Sequence, residues 1–247
     1  MKKTREQLKI LLLQVRDDRE TMQEEFYEFV QFSKLNEKQF TVLNPFQTPE
    51  LTIKNIQDYD ALFVGGSSDV SVLTPNEFPF VENCKKLIGI AYNEDIPVFA
   101  SCFGFQLATE QMGGKIIPDK KNMEMGAYSI YLTDAAKEDA LLQDTPSPFW
   151  AISGHKERAS QLPPGTILLG YSEACPYHIF KFPNKPFYGF QFHPEVDTKD
   201  IIARISRYQD RYLEDNAELE RVKQRSLQDT RHANDLLKKF VDRIILK

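Results

Sequence analysis

The strongest constraint on the fold of this chain is the alternation of short apolar runs with longer stretches of helical spacing. Leu8–Val15, centred on Ile10–Leu13, together with Ala61–Val64 and Pro97–Ser101, are the length of strands and carry the apolar density of strands buried on both faces. Between them, Asp18 to Lys38 contains no Gly or Pro, and Met22, Phe26, Phe29, Val30 and Phe32 recur at approximately helical spacing. Gln39–Leu43 reads as a further strand and Val81–Asn93 as a helix. Strand, helix, strand order with short connections predicts a parallel sheet covered by helices on both faces. In such sheets ligands bind beyond the carboxyl ends of the strands. Phe103–Met112 is the helix expected after Pro97–Ser101, stopped by Gly113-Gly114. From Lys115 to Glu195 strands and turns dominate, with runs at Tyr128–Leu132, Phe149–Ile152, Thr166–Tyr171, His178–Phe182 and Phe187–Phe192.

Beyond His193-Pro194-Glu195 the pattern changes. Asp200 to Lys247 holds neither Gly nor Pro and interleaves both signs of charge. Ile201, Ile205, Tyr208 and Tyr212 follow one helical stripe, and Leu236, Leu237, Phe240, Val241, Ile244 and Ile245 another. The expected organisation is an α/β domain over residues 1–198 and a helical C-terminal extension over 199–247. That extension either packs on the domain or serves as a dimerisation or partner-docking element.

Composition narrows the function classes. A net charge of -5 on 247 residues offers no broad basic field, which sets nucleic acid aside as a partner. No run approaches the roughly 18 apolar residues of a membrane span. Met1-Lys2-Lys3 imitates the start of a leader, but Arg16–Glu20 is charged and no small-residue cleavage site follows, so the expected location is cytoplasmic. The three cysteines, Cys84, Cys102 and Cys175, are odd in number and lack metal-type spacing. A disulfide framework and a zinc site are therefore not expected, and at least one thiol is free.

Cys102 is the thiol in a chemically suggestive place, within Ala100-Ser101-Cys102-Phe103-Gly104-Phe105-Gln106. An apolar strand running into a helix presents the turn residue above the sheet, where the helix N-terminus favours a thiolate. A buried, inert cysteine is the competing reading. The alternating strand Tyr188–Phe192 leads to His193, with Glu195 two positions on. A thiol nucleophile needs an imidazole to take and return its proton, and the imidazole needs a partner that fixes its tautomer. A plain surface turn is the alternative for His193-Pro194-Glu195.

Together these two segments resemble the class I glutamine amidotransferases, over roughly residues 8 to 196. Phe63-Val64-Gly65-Gly66-Ser67-Ser68 is similar to the oxyanion loop of that family, and Gly154-His155-Lys156-Glu157 to its His-x-Asp segment. Met112-Gly113-Gly114-Lys115 and Tyr171–Pro176 are similar to the stand-alone, GMP synthase-like branch, which includes γ-glutamyl peptidases. The resemblance implies a flavodoxin-like three-layer sandwich with a mostly parallel central sheet. Carried over residue by residue, it implies Cys102 as nucleophile, His193 as base and then acid, and Glu195 as its support. It also implies an oxyanion hole from the N–H groups of Gly66 and Phe103, and substrate contacts from Gln106, Gly65 and His155. No cofactor or metal is implied. Ala100, Phe105 and Glu157 depart from the family's usual Gly, Met or His, and Asp. The implied activity is hydrolysis of L-glutamine through a cysteinyl thioester, with ammonia passed to a separate synthetase partner. The alternatives are a γ-glutamyl hydrolase using the same residues, or a degenerate member acting as an interaction module or homodimer.

Overall fold

The computed structural model describes residues 3–51, 56–207 and 216–247. Tyr208 and Tyr212, expected on the helical stripe of the tail, lie outside the described residues. Nine strands form one sheet whose core is parallel. Ile10–Leu13 (β1) lies between Phe40–Leu43 (β2) and Ala61–Val64 (β3), followed by Val98–Ser101 (β4) and Phe187–Phe190 (β11), all running the same way. Ile179–Lys181 (β10), Ile167–Tyr171 (β9), Glu124–Leu132 (β6) and Phe149–His155 (β7) extend it antiparallel. Lys115–Pro118 (β5) and Glu157–Gln161 (β8) pair as a separate two-stranded sheet. Sequence reading misses both, because Lys115-Ile-Ile-Pro118 is short and Glu157–Gln161 is too polar to register as buried.

The period-2 alternation of the parallel strands sorts their side chains onto two faces. Leu11, Leu13, Leu62, Val64, Val98 and Ala100 pack with Phe80–Asn93 (α2) and Phe103–Gln111 (α3). Ile10, Leu12, Phe63, Phe99 and Phe190 face the other way, onto Arg19–Ser33 (α1) and Arg231–Phe240, the last of the α-helices. This is the flavodoxin-like three-layer sandwich. Helix α1 starts where Asp18 accepts a hydrogen bond from the Thr21 N–H, and stops where Lys34 turns left-handed at φ 58°.

The composition boundary at residue 198 is not a packing boundary. Leu236, Leu237, Phe240 and Val241 are fully buried, and the Phe240 ring stands 5.3 Å from Phe99 and 6.1 Å from Phe63. Each such side chain contributes about 1.5–3 kcal/mol by burial. The second apolar stripe of the tail therefore closes the sandwich rather than facing a partner. Its preceding helices, Thr198–Arg207 (α4) and Asn216–Ser226 (α5), cover the antiparallel strands: Ile201, Ile205, Leu219 and Val222 pack on Met125, Ala127 and Ile152. With these labels the last helix, Arg231–Phe240, is α6.

Candidate active site

Strand β4 ends at Ser101 and the chain turns on Cys102 at φ 48°, ψ -101°. A non-glycine residue there costs on the order of 1–3 kcal/mol and persists only when its surroundings hold it. They do: the Cys102 N–H donates to Phe190 O at 2.7 Å, the Gly104 N–H to Gly65 O at 3.2 Å, and the Gln106 N–H to Cys102 O at 3.1 Å. A Cβ on Gly104 would sit 2.8 Å from Val64, so only glycine lets the helix start this close to β3. Ala100, in place of the family's glycine, fits within the strand with no exposure.

From β11 the chain continues to His193, whose N–H donates to Ile152 O at 2.8 Å. Its Nδ1 lies 2.7 Å from Glu195 Oε1, which directs Nε2 toward Gly154. Cys102 Sγ reaches the same residue, 3.8 Å from Gly154 O, so thiol and imidazole converge. Burial alone would push the His193 pKa down, but the charges of Cys102 and Glu195 outweigh it and raise it to about 10. Burial would raise Glu195, yet His193 holds its carboxyl below the usual range. His193 is thus held as an imidazolium beside the Cys102 sulfur, with a carboxylate behind it. The other thiols differ: Cys84 is buried and pushed up to about 12 by desolvation, and Cys175 is fully buried.

The pair opens onto a cavity of about 280 Å³. Phe103, Gln106 and His155 line it. Gln106 Nε2 donates to Glu157 O at 3.1 Å, and Glu157 Oε1 accepts from Ser71 Oγ at 2.6 Å. The longer Glu157 thus braces the wall. His155 reaches the wall, but its Nε2 lies 3.1 Å from Glu124 Oε2, inside the protein.

Gly65 and Gly66 stand differently from expectation. Gly65 does not reach the cavity, because its N–H donates to Leu13 O and its carbonyl accepts from Gly104. Both contacts hold the turn between β3 and α3. The Gly66 N–H donates to Glu25 Oε1 at 3.2 Å and is therefore turned to a buried carboxylate rather than to an oxyanion. Glu25 Oε1 also takes Nε and Nη2 of Arg16 at 3.0 and 2.9 Å, while Arg16 Nη1 donates to Ser68 Oγ. Phe103 opens α3, where the first N–H groups of a helix have no intrahelical acceptor.

Sequence reading missed three contributors. Arg16 belongs to a charged stretch and Glu25 to a polar-rich helix with no motif of its own, yet their side chains are 4% and 0% exposed. Helix α4 walls the cavity with Ile201, Arg204 and Ile205. Asn234, on α6, donates through Nδ2 to Pro194 O and Val196 O at 2.9 and 3.0 Å, fixing the turn that carries His193 and Glu195. A lone Asn on an amphipathic helix gives no local signal of such a role.

The family model described as glutamine amidotransferase class-I matches residues 29–206. The chain belongs to the class-I glutamine amidotransferases. A relative from Methanocaldococcus jannaschii, named as one subunit of a glutamine-hydrolyzing GMP synthase, is 30% identical over 152 residues, covering 62% of this chain and 73% of that protein. The glutamine-hydrolyzing GMP synthase of Streptococcus uberis is 29% identical over 164 residues, covering 64% of this chain but 29% of that protein. The chain thus spans under a third of the longer relative. A solved glutamine amidotransferase from Thermotoga maritima superposes with a TM-score of 0.75 at 18% identity, covering 97% of this chain and 99% of that one. One from Methylobacillus flagellatus gives 0.71 at 19% identity, covering 96% of each chain. Both establish the shared fold of this amidotransferase.

Proposed function

We propose that the chain hydrolyses the side-chain amide of L-glutamine through a cysteinyl thioester. The observation that carries this reading is the convergence of Cys102, on its strained turn, with the buried His193–Glu195 pair. The Cys102 thiolate attacks the amide carbon, and the carbonyl electrons move to oxygen, where the Phe103 N–H is placed to receive the charge. His193 then delivers its proton to the amide nitrogen as ammonia leaves. In the second half His193 takes a proton from water, hydroxide adds to the thioester, and the thiolate departs, giving glutamate. Gly66 can supply a second donor only when its N–H leaves Glu25, so full oxyanion stabilisation requires that loop to turn. Gln106 and the Glu157 wall border the glutamyl chain.

The naming of the M. jannaschii relative as one subunit of its synthase supports transfer of the ammonia to a separate synthetase partner. The unpaired state of all three cysteines supports the cytoplasmic placement, and no described helix is long and apolar enough to cross a membrane. The apolar wall of Val196, Ile201 and Ile205 favours one alternative, a larger γ-glutamyl donor for the same thiol. Parallel assays with glutamine and γ-glutamyl dipeptides decide between them by which donor turns over. Cys102→Ala abolishes product release from either; unchanged turnover in that variant refutes the mechanism.

A further inference from the structure

The wall of the cavity is held from behind by a buried polar network that the proposed chemistry does not use. Glu124 opens β6 directly opposite His155 at the end of β7, one register position from the Met125–Gly154 pair. His178 enters from the connection between β9 and β10, and all three side chains are buried, at 2% exposure or less. Glu124 Oε2 lies 3.1 Å from His155 Nε2 and 2.8 Å from His178 Nε2. The other carboxylate oxygen accepts from Ser172 Oγ at 2.5 Å. Ser172 is fixed in turn, since its Oγ accepts from the Cys175 N–H at 2.9 Å and its own N–H donates to Cys175 O at 2.8 Å. The Cys175 thiol donates to Tyr177 O at 3.6 Å, and its sulfur also borders the His178 ring.

The shared oxygen fixes where the protons are. An ionised carboxylate only accepts, so both imidazoles that face Oε2 carry hydrogen on Nε2. Two cations beside one carboxylate would leave a net charge buried, so one imidazole is charged and the other neutral. His178 is the charged one: burial would lower its pKa, but Glu124 and Cys175 outweigh that and raise it to about 10. Burial would raise Glu124, yet His178 and His155 hold its carboxyl below the usual range. His155 goes the other way. Burial lowers its pKa, Glu124 offsets only part of this, and the positive charges of His178 and His193 push it further down. The wall therefore presents a neutral imidazole with its Nε2–H turned inward, and the positive charge stays behind it. Stability alone does not account for such a network, because a buried ion pair seldom outperforms apolar side chains of the same volume. Direction does. His155 adjoins Gly154, whose carbonyl lies 3.8 Å from Cys102 Sγ, and stands two residues before Glu157, whose carbonyl receives Gln106 Nε2. The ring that Glu124 draws inward thus sets the path of the backbone facing the nucleophile.

We propose that Glu124 and His178 are positioning residues for the donor substrate: Glu124 anchors the neutral His155 ring and with it the Gly154–Glu157 wall, and His178 carries the charge that keeps His155 from taking up a proton. The kinetic part of this proposal rests on the glutamine hydrolysis proposed above; the charge arrangement does not. The wall borders the glutamyl chain in that reaction, so loosening it weakens donor binding more than it slows the chemistry at Cys102.

Nitrogen-15 NMR of the imidazole rings tests the charge arrangement on the unaltered full chain, whose four histidines give a countable set of signals assigned by replacing each in turn. From about pH 6 to 8 the His178 ring is expected to be doubly protonated and the His155 ring neutral with its hydrogen on Nε2. His178→Gln leaves the carboxylate in place without its cation, so His155 should take the proton and become doubly protonated at neutral pH. Glu124→Gln keeps the shape but offers one imidazole a donor where it needs an acceptor. It should raise KM for glutamine about tenfold, with kcat within about threefold of the unaltered chain. A neutral His178, or a doubly protonated His155, in the unaltered chain overturns the proposal whether or not the variants fold. So does a folded Glu124→Gln variant that loses kcat with KM unmoved, or that changes neither. An unaltered chain that turns over no donor overturns the reaction and the kinetic part together, while the ring signals still decide the charge arrangement.

Discussion

Replacing Glu195 by Gln tests the electrostatic core of the proposed mechanism with almost no change of shape. His193 Nδ1 lies 2.7 Å from Glu195 Oε1, and both side chains are buried. With charge centres about 4 Å apart and an effective dielectric constant of about 20, the carboxylate stabilises the imidazolium by about 4 kcal/mol. That corresponds to about three pKa units, enough to bring His193 from about 10 into its ordinary range. The thiolate–imidazolium pair weakens accordingly, and the glutamine amide can also offer its N–H to Nδ1 and select the wrong tautomer. The expected loss in kcat/KM for ammonia release is 10²- to 10³-fold, while KM changes little. The rate of Cys102 alkylation by iodoacetamide, followed against pH, should shift so that a given rate is reached at higher pH. A loss below tenfold, or an unmoved alkylation profile in a folded variant, refutes the argument that Glu195 maintains the ion pair.

Three further outcomes follow from neighbouring contacts. Glu25→Gln deprives the buried Arg16 of its carboxylate and lowers stability by about 3–5 kcal/mol in urea unfolding, whereas Arg16→Met with Glu25→Met costs less. The double variant also releases the Gly66 N–H and should raise kcat at least tenfold; a fall in kcat would show that Glu25 holds the loop in its working state. Burial raises the Glu28 pKa to about 7 despite Arg204, from an ordinary value of 4.5. The folded chain then binds this proton more tightly than the unfolded chain, so stability declines from about pH 4.5 to 7 by on the order of 3 kcal/mol. Glu28→Gln should flatten that slope in unfolding measurements, and an unaltered slope assigns it to other groups. Asn234→Ala removes two hydrogen bonds from the His193–Glu195 turn, with an expected cost of about 1–3 kcal/mol in stability. It should lower kcat about tenfold at similar KM; unchanged kcat would reduce Asn234 to a purely structural tie.

The parallel half of the molecule was legible because each of its strands is buried on both faces and each helix on one. The run Ala61–Val64 reproduces β3 as built, and Phe103–Met112 exceeds α3 by one residue. Cys102 and His193 were legible for a related reason: Cys102 directly follows β4 and His193 comes three residues after β11, both strands with a strong apolar pattern. What escaped notice was non-local. The polarity of β8 gave no period: among the described residues it pairs with β5 in a separate two-stranded sheet. The destination of the Gly66 N–H depends on Glu25, 41 residues earlier in the chain, and no motif encodes that meeting.

The same logic recasts the tail. Its charge interleaving and lack of Gly and Pro suggested an appendage, but a helix laid on the outer face of a sandwich has the same signature as a free amphipathic one. Only the partner surface tells them apart, and here that surface is Phe63, Phe99 and Tyr188. Because α6 is anchored there, Asn234 can reach the Pro194 and Val196 carbonyls; because α4 folds over the antiparallel strands, Arg204 can meet Glu28 at 2.6 Å beside the cavity. Deleting residues 199–247 would therefore expose the Phe63–Phe99 face and unfasten the His193–Glu195 turn together. The described part of the tail is thus a structural layer of the sandwich, and it cannot be treated as a free docking arm.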